Sequence, residues 1–148
     1  MGNITFNVAL GRVAHYATLP GTNDALILVP LEATGLVTDA TMRDYDTLAL
    51  VLAGASNEQT TIGRKTITSV TATVNDTDDR VDCDFADQVY SSPSGAALGA
   101  FLVCYDPDTT GGDDTTIIPL TKHDYALTPE GDSLTVTVAD FFRASSAA

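Results

Sequence analysis

Two histidines, His15 and His123, are the only imidazoles available for acid–base or metal chemistry, and His123 is followed directly by Asp124, a carboxylate that could orient it as a base. A hydrolytic triad also needs an activated nucleophile. No Gly-x-Ser-x-Gly elbow and no reactive-cysteine signature accompanies His123, so the sequence predicts no catalytic residue and no enzyme. Cys83 and Cys104 stand outside any CxxC or Cys/His cluster, which makes them small buried thiols rather than zinc ligands. In a reducing cytosol they are expected to stay reduced. Asp76, Asp78, Asp79, Asp82 and Asp84 alternate as calcium ligands can, but the Gly and terminal Glu of an EF-hand loop are missing. A second group, Asp106, Asp108, Asp113 and Asp114, also has ligand-like spacing, and for both groups turn chemistry is the better reading, because Asp and Asn bond their own nearby backbone. Gly111-Gly112 has neither the GK[ST] nor the GxGxxG context of a phosphate loop. No metal and no cofactor is expected.

The charge balance narrows the partners. With 20 acidic against 7 basic residues, the net charge of −13 repels phosphate, so neither nucleic acid nor an anionic membrane surface is an expected partner. The start Met1-Gly2-Asn3-Ile4 lacks a basic n-region and an apolar h-region, and no run approaches the length that spans a bilayer. A hydrophobic fraction of 44% with 18% charged residues excludes the disordered class. At 148 residues the expectation is a single β-rich domain over 1–148 with a core of its own.

The elements follow from periodicity. Ile4, Phe6 and Val8 alternate with Asn3, Thr5 and Asn7, the pattern of a half-buried strand, and Val13 to Tyr16 could continue extended. Pro20 to Asp24 is a turn before Ala25–Val29, a strand buried on both faces and closed by Pro30. Thr38 or Asp39 can cap a helix over about 39–53, with Met42, Tyr45, Leu48, Ala49 and Leu52 at helical spacing and Gly54 as a left-handed stop. Thr66–Val74 and Val81–Phe85 read as a hairpin around Asn75–Asp79. Ala96–Tyr105, Ile117-Ile118, Ala126-Leu127 and Leu134–Val138 supply further strands, and the small residues after Phe141-Phe142-Arg143 are expected to be loose. The fold class is therefore mainly β: an antiparallel β-sandwich or barrel of about eight short strands with one α-helix.

Several stretches carry a resemblance: Ala9 to Ala14, Arg43 to Leu48, Asn75 to Asp84, Val103 to Gly112 leading into Ile117 to Thr121, and Phe141 to Ala144. Together they resemble the capsid (head) decoration proteins of tailed bacteriophages. That resemblance implies a non-enzymatic virion structural protein, assembled in the host cytoplasm, that binds the major capsid protein on the head exterior and associates with itself, often as a trimer. A tail or head–tail connector protein is the nearest alternative, and a small-ligand or carbohydrate-binding β domain is another. Absence of Trp weakens the sugar-binding version, since rings supply its stacking platform. Copies of charge −13 repel one another over roughly 8 Å at physiological salt, so lasting contact requires apolar anchors. The interface candidates are Ile4, Phe6, Val8, Phe141 and Phe142, although the same alternation would serve the protein's own core.

Overall fold

Two apolar runs, Ala25–Leu31 and Ala100–Cys104, have no polar face to offer water and must be covered on both sides. The computed structural model, which describes residues 2–54 and 56–146, resolves how. In chain order it contains β1 (Ile4–Thr5), a 3-10 turn (Asn7–Ala9), α1 (Val13–Thr18), β2 (Ala25–Glu32), α2 (Asp39–Met42), α3 (Leu48–Ala53), β3 (Lys65–Thr66), β4 (Thr71–Asn75), β5 (Arg80–Asp84), β6 (Gln88–Tyr90), β7 (Leu98–Asp106), β8 (Ile118–Leu127), β9 (Leu134–Val136) and β10 (Phe142–Ser145). The fold is mainly β. A central antiparallel sheet runs β1-β8-β7-β2-β3, and two smaller antiparallel sheets run β10-β5-β4 and β6-β9.

The two faces of β2 feed different cores. Leu26 and Leu28 join Phe101 and Val103 of β7 against Cys83, Phe85, Leu134, Val136 and Phe141 from the smaller sheets and the segment beside them. Ile27, Val29 and Leu31 join Leu102 and Cys104 against Met42, Leu48 and Val51 of the two short helices. The central sheet therefore packs on small sheets on one side, in sandwich-like fashion, and carries helices on the other. Cys83 and Cys104 are both free and buried, and they sit in different cores.

Register shifts re-aim β8. Val103 faces Thr121 while the next residue, Cys104, faces Pro119, so Leu120 is the extra residue of a bulge. The bulge re-phases the alternation, and Tyr125 joins Ile118 and Leu120 on the same core.

Several expectations are corrected. The helix over 39–53 is two helices. Thr38 caps α2 by accepting from Thr41 N at 3.4 Å, and Thr47, in extended conformation, caps α3 by accepting from Leu50 N at 3.3 Å. The backbone N–H groups of Leu48 and Ala49, which a continuous helix would use internally, donate instead to Ile117 O and Asp114 O, both at 2.9 Å. Gly54 has φ −77, so it is no left-handed stop. A Cβ there would lie 2.3 Å from the Tyr45 hydroxyl, so a larger residue at this position would have to displace that ring.

The alternation at Ile4, Phe6 and Val8 yields a strand only at Ile4–Thr5, after which the chain turns. Val13 and Ala17, both buried one helical turn apart, make α1 where extended chain was expected. Pro30 does not close β2. It pairs in register with Phe101, its carbonyl accepts from Gln59 N at 2.9 Å, and on that side β3 has already ended, so no ladder donor is missed. Thr66 and Thr71 belong to different sheets, with Ser69 at φ 58 between them. The β4–β5 hairpin is as expected, Asn75 facing Arg80. Ile117-Ile118 and Ala126-Leu127 bracket one ten-residue strand, which with the other splits gives ten strands among the described residues rather than about eight. Ala144 and Ser145 pair with β5 instead of hanging loose, and the expectation of looseness at 147–148 lies outside the described residues.

Candidate functional site: a groove between two strand edges

His123 reaches its place through the bulge in β8. Its Nε2 lies 2.9 Å from Thr121 Oγ1 on the same strand face. Burial, with the neighbouring Lys122 charge adding to it, holds the imidazole below its ordinary value and therefore neutral at pH 7. Asp124 does not orient it. That carboxylate points to Lys122 instead, with Oδ1 2.6 Å from Nζ. His15 stands exposed on α1 and shares no site with His123.

Lys122 is the residue that the sequence reading missed. It is fully buried, donates hydrogen bonds to Asp39 Oδ1 at 2.6 Å and Gly2 O at 2.9 Å, and forms an ion pair with Asp124, whose Oδ1 lies 2.6 Å away. Asp39 also accepts from Gly2 N at 2.6 Å, and the Lys122 hydrogen bond holds its carboxyl below the usual range. This ionic lock ties the N-terminal strand and α2 onto β8. The signal in sequence was a lone lysine directly after the run Ile117–Thr121, which is apolar but for its last residue, a place where a cation survives only if paired.

Beside the lock lies a groove of about 400 Å³. One wall is Asn3, Ile4 and Thr5, the edge strand of the central sheet, and the other is Ala139 to Arg143, leading into the edge strand of the β10-β5-β4 sheet. Thr121 and His123 form part of its lining. Two strand edges thus open onto one concavity. Arg143 links its rim to Asp140, with Nε donating at 2.9 Å, and to Asp82 at 3.2 Å, which also holds Arg80 at 2.8 Å.

Of the five interface candidates, Ile4, Phe141 and Phe142 line this groove, and Phe6 and Val8 do not. Phe6 is 0% exposed beneath the helices, and Phe141 is 5% exposed with its ring 5.3 Å from that of Phe85. Both rings therefore fill this chain's own core, which corrects their reading as anchors free to enter a partner. Val8 is half-buried between the two cores, leaving Ile4 and Phe142, each half-buried, as the candidates with surface to offer.

The aspartate groups do local work. Asn75 bonds Asp78, and Arg80 binds Asp78 and Asp82. Asp108 accepts from Thr110 N at 3.0 Å and Asp113 from Thr115 N at 2.8 Å, and the Thr110 and Thr115 hydroxyls hold these two carboxyls below their usual range. Arg64 forks between Glu58 and Asp114 at 2.7 and 2.6 Å and clamps two loops. Among the described residues no three His, Cys, Asp or Glu side chains converge as a metal site would require. No family model, no curated protein and no solved structure matches this chain.

Proposed function

We propose that this chain is a non-enzymatic structural protein that decorates the outer surface of a tailed-phage head, binding the major capsid protein and associating with itself as a trimer. The observation that carries this reading is the groove walled by the β1 and β10 edges. An unpaired edge presents main-chain donors and acceptors that a partner's strand can complete, and neighbouring apolar side chains such as Ile4 and Phe142 add buried area. Four of the seven cations, Arg64, Arg80, Lys122 and Arg143, are engaged in internal ion pairs, so little positive charge is left to recruit an acidic partner. Recognition thus falls to strand edges and apolar contacts, and the acidic field keeps free copies apart until that contact forms. Copurification with assembled heads in a fixed ratio tests the reading. Cryo-electron microscopy density on the head lattice supports it, and density at the tail or neck assigns the chain to the connector class instead.

A further inference from the structure

Behind the groove, and sharing His123, Ala139, Asp140 and Phe141 with it, is a second and more enclosed cavity of about 200 Å³. Its lining is mostly ring and hydrocarbon: Phe85, Phe101, Tyr125 and Phe141, with Leu28 and Val103. Phe101 meets Tyr125 edge-on at 5.2 Å, and Phe85 lies 5.3 Å from Phe141, so the aromatic walls are already packed against one another. An apolar cavity of about 150 Å³ is enough to take up benzene, so this one has room for a single six-membered ring. Its polar groups are His123, Asp124, Thr137 and Asp140, and the two carboxylates are already paired, Asp124 with Lys122 and Asp140 with Arg143. Thr121 engages His123 Nε2, and that leaves Nδ1 as the ring nitrogen available to a guest.

We propose that this cavity is a binding site for one neutral, hydroxyl-bearing aromatic ring of phenol type, its hydroxyl bonded to His123. A hydroxyl suits either imidazole tautomer, because it donates to a bare Nδ1 and accepts from a protonated one. The four rings supply edge and face contacts for an aromatic guest. Asp124 and Asp140 among the lining groups disfavour an anion, and their pairing with Lys122 and Arg143 leaves neither free to hold a cation. This inference stands apart from the decoration reading, since a free small molecule and a tyrosine side chain of a protein partner present the same chemistry.

The test titrates the full chain with phenol and with toluene, following the His123 ring resonances by NMR. The expected result is saturable binding of both in fast exchange, with phenol about tenfold tighter because of one additional buried hydrogen bond. His123→Phe is expected to remove the difference, and Val136→Phe, which places a ring inside the cavity, to abolish both while the fold persists by circular dichroism. N-acetyl-tyrosinamide then separates the sources: binding as tight as phenol supports a partner's tyrosine, and exclusion supports a free small molecule. Equal affinity for phenol and toluene in the unsubstituted protein, absence of saturation in the millimolar range, or retained binding in a folded Val136→Phe protein overturns the proposal. The phenol–toluene comparison needs no variant, so a substitution that fails to fold leaves the test intact.

Discussion

The ionic lock at Lys122 makes a prediction about coupling. A fully buried ammonium costs several kcal/mol to desolvate, and here that cost is met by two carboxylates and one carbonyl within 2.9 Å. Asp39→Asn removes one charge yet keeps an amide oxygen in place, and Asp124 still balances the cation, so a loss of about 1–2 kcal/mol is expected. Asp124→Asn should cost about 1 kcal/mol, because that side chain is already 34% exposed and its interaction is partly screened. The double variant leaves a buried ammonium with no counter-charge, and breaking a buried pair in that way costs about 3–5 kcal/mol. The two substitutions should therefore be non-additive by about 1–2 kcal/mol in urea unfolding, read as midpoint shifts at constant m. Additive losses below about 0.5 kcal/mol each would refute the lock, showing that Lys122 is solvated and that the N-terminal strand is held by other means.

Three shorter predictions concern the core and its titration. Phe141→Ala should destabilise by about 3–5 kcal/mol, as expected for a buried ring, and the half-buried Phe142→Ala by clearly less; equal small losses in thermal unfolding would contradict the placement of Phe141 in the core. His123 takes up its proton near the ordinary value of about 6.5 when unfolded and only at lower pH when folded, so stability is full above that value and declines as pH falls through the window below it. His123→Gln should flatten that part of a stability–pH profile measured by urea unfolding, and an unchanged slope would assign it to other groups. Burial pushes the Cys83 thiol up to about 11 and Cys104 higher still, so both should resist a thiol reagent in the native protein and react together on unfolding. Rapid labelling of either in the folded state would contradict its burial.

The mainly β class and the β4–β5 hairpin were legible because Thr-rich alternation and an Asn/Asp turn act locally. The two-faced burial of Ala25–Val29 was legible for the same kind of reason: an apolar run without a polar phase must be covered twice. What was not legible depended on distant partners. The break in the helix over 39–53 comes from Ile117 and Asp114 capturing two backbone N–H groups about 70 residues away in sequence, which no local propensity reports. The bulge at Leu120, which swings His123 and Tyr125 toward the small sheets, exists only in the pairing of β7 with β8. Within the candidate site, Ile4 and Phe142 were visible as apolar residues near the chain ends. The convergence of β1 and β10 on one groove was not, because it arises from two separate sheets, and Lys122 was overlooked because a single lysine looks solvated until its strand is shown to be internal.

The groove claim is tested most directly by head occupancy of the intact protein and of Ala139→Arg, a substitution at an exposed groove residue in neither hydrophobic core. Both proteins would be added to purified heads that lack this chain, and occupancy counted by cryo-electron microscopy at matched concentrations. Lattice-wide occupancy is expected of the unsubstituted protein, and of the variant a loss of affinity of about tenfold or more, equivalent to about 1.4 kcal/mol, because the bulky arginine fills the groove. Failure of the unsubstituted protein to bind heads, or equal occupancy by a folded Ala139→Arg protein, would contradict the claim.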